Sequence, residues 1–255
     1  MNILVLLKRT FDTEEKIVIQ NNQVSEDGVE FIINPYDEYA VEEGIKLRDE
    51  FGGEVTVLTV GPADADKELR TALAMGADKA ILVDDESLFG DEYKVSVVLA
   101  NIIKERGFDI ILGGNVSVDN GAGQVASRVA ELLDIPQVTT ITKLTVEGTK
   151  AVAERDVEGD LEVIETTLPA LFTAQQGLNE PRYPSLPGIM KAKKKPLERL
   201  GAGDLTIDAG ALTSKTELVE LYAPPKKEAG RILEGEKEDQ VKELVQLLRN
   251  EAKVI

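Results

Sequence analysis

A run of small residues, Gly113-Gly114-Asn115-Val116-Ser117-Val118-Asp119-Asn120-Gly121-Ala122-Gly123-Gln124, joins an apolar strand-like segment to an amphipathic helical pattern. Small residues there leave backbone N–H groups uncovered, and a helix N-terminus adds positive potential. Such a loop could hold an anion without a lysine; a tight turn is the plainer alternative. It is not a Walker A loop, because Gly-Lys-Ser/Thr is missing. Nor does Gly-x-Gly-x-x-Gly follow the first strand, which argues against an ordinary dinucleotide fold. A second candidate, Asn34-Pro35-Tyr36-Asp37, sits at another strand-to-helix junction. Asn34 could cap the helix, Tyr36 could stack on a base and Asp37 could accept from a hydroxyl or amine. On local sequence a plain helix cap is the simpler reading.

Much other chemistry is excluded by residue type. The 255 residues include no Cys, no His and no Trp. Thiolate nucleophiles, disulfides, imidazole bases and His- or Cys-held metals are therefore absent. Asp64, Asp66, Asp84, Asp85 and Glu86 lack the spacing of a calcium loop and read as a solvated acidic surface, so no metal is expected. With 29 basic and 47 acidic residues the net charge is −18, which disfavours nucleic acid and anionic membranes as partners. The segment Arg182 to Arg199 reverses this. Six basic residues face one acidic residue there, giving +5 and leaving −23 for the rest. Just before its lysines, Tyr183-Pro184-Ser185-Leu186-Pro187-Gly188-Ile189-Met190 reads as an apolar loop held by two prolines. An apolar loop with a basic rim reads as a docking surface for an acidic protein.

These candidates need elements to position them. Ile3–Leu7, Val55–Val60, Ala80–Val83 and Ile110–Leu112 read as buried strands, and Phe31–Ile33 as a short one. Helical patterns follow from Pro35 to Gly52, from about Asp64 to Met75, over Tyr93–Lys104, and through Ala122, Val125 and Val129 to Leu133. Lys16–Ile19 and Gln23–Ser25 flank Asn21-Asn22 as a small hairpin. Alternating strands and helices imply a parallel sheet covered on both faces, with ligands outside the carboxyl ends of its strands. Residues 137–167 read as a small antiparallel meander, and Pro169–Ala174 as a strand returning to the main sheet. Gln175 to Glu236 is irregular, and Val241, Leu244, Val245 and Leu248 mark a terminal helix. The expected division is a nucleotide-binding α/β domain over 1–195 and an extended C-terminal arm over 196–255. The longest nearly apolar stretch, Val95–Ile103, is too short to span a bilayer. With no signal or transit segment recognisable, a soluble cytoplasmic protein is expected.

Assembled, these segments resemble the β (small) subunit of electron transfer flavoprotein over essentially the whole chain. The most specific stretches are Leu168-Pro-Ala-Leu-Phe-Thr-Ala174 and Leu178-Asn-Glu-Pro-Arg-Tyr-Pro-Ser-Leu-Pro-Gly-Ile-Met-Lys-Ala-Lys-Lys-Lys195. Val5-Leu-Leu-Lys-Arg9, Asn34-Pro-Tyr-Asp-Glu38, Arg70-Thr-Ala-Leu-Ala-Met-Gly-Ala-Asp78 and Asp119 through Val125 support it. The resemblance implies an adenine-nucleotide-α-hydrolase-like, Rossmann-like three-layer α/β/α fold. It implies a heterodimer with an α subunit that carries most contacts to the redox-active FAD. This chain would bind AMP structurally or, in electron-bifurcating members, a second FAD, and would have no active-site chemistry of its own. Acyl-CoA dehydrogenases of fatty acid β-oxidation and related dehydrogenases would be donors, and a quinone oxidoreductase or another protein the acceptor. By matched position the nucleotide site would comprise Leu6, Asn34, Pro35, Tyr36, Asp37, Val60 and the loop Gly114, Asn115, Val116, Ser117, Val118, Asp119, Asn120, Gly121, Ala122, Gly123, Gln124 and Val125. Docking would use Tyr183, Leu186, Pro187, Ile189, Met190 and Lys191, and the arm would lie on the α subunit.

One departure matters. Many members carry Thr where this chain has Ala122, so phosphate contacts must rest more on backbone N–H groups. AMP is favoured over a second FAD. A stand-alone nucleotide protein of the universal-stress type fits less well, because the loop lacks a Ser/Thr pair and the arm is long. A nucleotide-cleaving hydrolase or ligase fits poorly too. Lys8-Arg9-Thr10-Phe11-Asp12 stands where its pyrophosphate loop would be.

Overall fold

The computed structural model describes residues 1–226 and 229–255. Contacts divide them into two compact units, one of Met1–Ile17 with Ser25–Val219, the other of Val18–Val24 with Glu220–Ile255.

The larger unit is built on one sheet. Its first strand, β1 (Asn2–Leu6), carries the apolar run Ile3–Leu6, buried on both faces. Short β2 (Arg9–Phe11) pairs antiparallel with β5 (Phe31–Ile33), and α1 (Pro35–Phe51) follows directly. Strand β6 (Glu54–Val60) leads through a 3-10 turn at Ala63–Ala65 into α2 (Asp66–Met75). Then come β7 (Lys79–Val83), α3 (Glu92–Arg106), β8 (Ile110–Gly114) and α4 (Val125–Leu133). The chain continues as β9 (Gln137–Glu147), β10 (Lys150–Val157), β11 (Asp160–Thr167) and β12 (Ala170–Ala174). It ends with α5 (Leu186–Ala192) and β13 (Leu197–Leu200).

Among the described residues the sheet has nine strands, ordered β11-β10-β9-β12-β8-β1-β6-β7-β13. The pairings from β9 through β12, β8, β1, β6 and β7 to β13 are parallel. The meander is an extension of this sheet, not a separate one: β9 runs parallel to β12, and β10 and β11 add antiparallel strands outward. The two faces can be read from β1 itself. Ile3 and Val5 join one core with residues of α1 and α2, while Leu4 and Leu6 join the other with residues of α3 and α4. This is a three-layer α/β/α protein of the Rossmann-like kind. Phe172 on β12 is fully buried and is the largest side chain in the core.

Two elements depart from expectation in the segment read as irregular. The loop around Leu186 is a short helix, started by Ser185, whose hydroxyl accepts from the Gly188 N–H at 3.1 Å. Past residue 195 the chain stays with the larger unit. Strand β13 adds to the sheet edge at β7, and Leu200, Leu205, Ile207 and Leu212 pack on the second core.

The smaller unit contains the hairpin β3 (Ile19–Gln20) with β4 (Gln23–Val24), turned by Asn21 and Asn22 in left-handed conformation. It also holds helix α6 (Lys237–Leu247) and a π-type turn over Leu248–Ala252. Val241, Leu244 and Val245 on α6 are exposed. Among the described residues no helix is long and apolar enough to cross a membrane.

Candidate functional site

From β1 the chain moves outward to β6 and β7, then crosses back to β8 on the other side of β1. The loops after β1 and β8 therefore diverge, and a crevice opens at this switch point. A cavity of about 190 Å³ lies there, with Leu6, Val60, Val95 and Leu99 among its apolar residues and Asn34, Asp37, Ser117 and Asn120 among its polar ones.

Asp37 closes its base. The carboxylate is buried, and it accepts the Lys8 N–H at 2.6 Å and the Gly114 N–H at 2.8 Å. It thus ties the end of β1 to the end of β8. Burial pushes this carboxyl up to about 7, against the lowering effect of those N–H groups and of the Lys8 charge. Gly114 has no room for a side chain, because a Cβ would overlap Asp37 Oδ1.

Asn34 does not cap α1 with its side chain. Its Nδ2 donates to the Val116 carbonyl at 2.8 Å, and its Oδ1 accepts the Val118 N–H at 3.2 Å. The expected helix cap is instead a staple across to the Gly-rich loop. Asp37, likewise, is committed to the scaffold through both oxygens.

The loop is further held by Lys8, whose Nζ reaches Ser117 Oγ at 3.3 Å and pairs with Asp119 at 2.7 Å. Burial alone would raise the Asp119 carboxyl, but the Lys8 hydrogen bond and charge outweigh it and hold the group low. Asn120 ties the loop to α3 through Glu92 Oε1 at 3.1 Å and accepts the Ala122 N–H at 3.1 Å. Gly121 and Gly123 take left-handed backbone, so α4 begins at Val125 and not at Ala122. The first N–H groups of α4 lack intrahelical partners and lie at the cavity lip with Gln124, Val125 and Ala126.

Of the expected nucleotide residues, Leu6, Asn34, Asp37, Val60, Gly114, Asn115, Val116, Ser117, Asn120, Ala122, Gly123, Gln124 and Val125 line this cavity. Pro35, Tyr36, Val118, Asp119 and Gly121 are not among its lining residues. Lys8, Gly90, Glu92, Val95 and Leu99 line it without having been singled out. Lys8 was signalled only by its place just after the first strand. A deeper support escaped sequence reading altogether. Thr140 holds φ +58, unusual for a β-branched residue, at an irregularity in β9. Its N–H donates to Thr173 Oγ1 at 2.9 Å, and that buried hydroxyl donates to Asn115 Oδ1 at 3.4 Å.

The acidic residues set aside as surface are spread over separate partners. Asp64 pairs with Arg9, Asp84 with Arg199, and Asp85 accepts N–H groups of Ser87 and Ala202. Among the described residues no group of three or more acidic side chains is arranged for a metal ion. The residues expected to dock are gathered on and just before α5. Tyr183, Leu186 and Met190 are 94%, 79% and 72% exposed, and Pro187, Ile189 and Lys191 are exposed beside them.

Fold and cleft together define a doubly wound α/β protein with a ligand-sized site at its switch point. Comparison with known proteins narrows this. The model of the electron transfer flavoprotein domain matches residues 21–205. Electron transfer flavoprotein subunit beta of Bacillus subtilis (strain 168) is 62% identical over 257 residues, with 100% of both chains covered. The subunit of the same name from Syntrophomonas wolfei is 42% identical over 255 residues, covering 100% of this chain and 98% of its own. That of Sus scrofa is 40% identical over 236 residues, covering 90% of this chain and 91% of its own. The chain belongs to the electron transfer flavoprotein family, among its β subunits.

Proposed function

We propose that this chain is the β subunit of a heterodimeric electron transfer flavoprotein, and that its switch-point cleft holds AMP in a structural role. The observation that carries this is the arrangement of the cleft. Apolar Leu6, Val60, Val95 and Leu99 offer a surface for a base, and the loop into the α4 N-terminus, with Lys8 at the lip, offers N–H donors and a charge to a phosphate. This reading does not need a hydroxyl at position 122, which alanine lacks, because the loop donors are backbone N–H groups.

The redox flavin resides mainly on the α subunit and supplies the electron chemistry when bound. This chain's residues bind and orient; none of them reacts. Leu186 and its neighbours dock an acyl-CoA dehydrogenase as donor, with a quinone oxidoreductase as acceptor, and the residues beyond 219 lie on the α subunit. The test is co-expression with the α subunit, followed by release and quantification of bound nucleotides. One FAD and one AMP per heterodimer supports the proposal. Two FAD would assign the bifurcating class, and failure to associate with the α subunit would overturn the reading.

A further inference from the structure

We infer that Gly188, with the Arg182–Glu42 ion pair, fixes the pose of α5 and so sets how tightly this chain engages its electron donor. The inference rests on the docking role given to Leu186 above and adds to it the residues that aim that side chain.

Helix α5 has seven residues, too few to hold a helix by itself. Its pose must come from what it is fixed to. Gly188 sits directly on the last turn of α2, where an added Cβ would lie 2.5 Å from the Ala74 carbonyl oxygen. The two helices then exchange caps. Arg70 of α2 donates to the carbonyls of Ala192 and Lys195 at 2.8 and 2.9 Å. Lys195 Nζ donates back to the carbonyls of Leu73 and Ala77 at 3.0 and 2.5 Å. Each C-terminus is satisfied by a cation from the other side.

The approach to α5 is fixed as firmly. Arg182 grips the buried Glu42 of α1 through Nε–Oε2 at 2.7 Å and Nη2–Oε1 at 2.9 Å. Asn179 Nδ2 donates to the Tyr39 carbonyl at 3.0 Å and to Glu43 Oε2 at 2.9 Å. Both ends of the segment are therefore bound to the α1 and α2 layer, while Tyr183, Leu186 and Met190 point outward. An anchor held this way loses little freedom on docking, which raises affinity without adding contacts.

The consequence is that affinity should depend on residues a partner never touches. Gly188→Ala keeps every outward side chain but forces α5, and those side chains with it, away from α2. With the assembled flavoprotein and an acyl-CoA dehydrogenase, the KM for the flavoprotein should rise about tenfold, the effect of misplacing one buried anchor. kcat, FAD content and adenine nucleotide content should stay unchanged. Arg182→Lys keeps the charge but loses the two-pronged grip, and should raise KM in the same direction; it decides the matter if Gly188→Ala does not fold. Leu186→Ala is the separate check on docking itself. If it raises KM while both positioning variants match wild type, the positioning inference fails and docking stands. If Leu186→Ala leaves KM unchanged, the docking reading fails and takes this inference with it. A fall in kcat with KM unchanged in the positioning variants would also overturn the inference.

Discussion

Replacing Asp37 by asparagine should change stability by an amount that depends on pH. The buried carboxyl titrates at about 7 in the folded chain, against an ordinary value of 3.8. Folding therefore takes up a proton between those values. The stabilisation that goes with a raised carboxyl is fully present below about pH 4 and is lost as pH rises through 7. At about 1.4 kcal/mol per pH unit, the whole span amounts to about 4 kcal/mol, of which about 3 kcal/mol falls between pH 5 and pH 8. Asparagine is neutral throughout and removes this dependence. It retains one carbonyl oxygen, so the N–H of either Lys8 or Gly114 loses its acceptor, at about 1–3 kcal/mol. Asp37→Asn should thus be clearly less stable than wild type at pH 5. The gap should shrink, and can reverse, by pH 8. Urea unfolding of the full chain, followed by far-UV circular dichroism at pH 5, 6, 7 and 8, measures this. Other carboxyls raised by burial, Glu38 and Glu68, are common to both proteins and cancel in the difference. A difference that stays constant across the series would refute the reasoning.

Gly114→Ala should overlap the Asp37 carboxylate; nucleotide should be lost on purification and unfolding free energy should fall by about 1–3 kcal/mol. Lys8→Met removes a pair whose side chains are 43% and 21% exposed. It should shift stability by less than about 1 kcal/mol, while weakening AMP binding measured by calorimetry, most at low salt. Phe172→Ala empties the centre of the sheet and should cost about 3–5 kcal/mol, read as a lowered urea midpoint with unchanged slope.

What could be read in the sequence follows the range of the forces involved. The run Ile3–Leu6 is apolar because both its faces are covered, and its neighbours show that directly. Pro35 at the start of α1 and Gly52 at its end are local signals, and both hold. Edge strand β13 is not legible in the sequence because only Leu197 and Leu200 face inward. Glu198 and Arg199 look like solvated charges until Arg106 and Asp84 are seen beside them. Helix α5 was hidden by its prolines, although Ser185 followed by Pro187 is also a helix-start signal. Asn34 shows the limit best. Its local role, the cap, was the simpler reading. Its actual partners, Val116 and Val118, lie 82 and 84 residues away. The candidate site is legible as residue types at strand ends; which side chains face the cleft and which support the scaffold depends on such distant pairings.

The charge reversal at Arg182–Arg199 changes meaning in the same way. By composition it is a patch of +5 in an acidic chain. In the fold, Arg182 is spent on Glu42, Arg199 on Asp84 and Asp66, and Lys195 on the carbonyls of Leu73 and Ala77 at the end of α2. What remains directed outward is Lys191, Lys193 and Lys194, all exposed and, among the described residues, without a carboxylate partner. These three stand at the end of the helix that presents Leu186, Ile189 and Met190. At physiological salt a charge is felt over about 8 Å, so their field covers the apolar anchor and little else. Half of the basic residues are thus spent inside the fold, and the other half lie at the end of α5. An acidic partner would be oriented by the second set and held by the apolar side chains, whose contribution salt does not screen. An association that weakened with salt as steeply as six charges require would mean that Arg182 and Arg199 abandon their internal partners on docking, and the anchor would then be assembled by the partner and not presented to it.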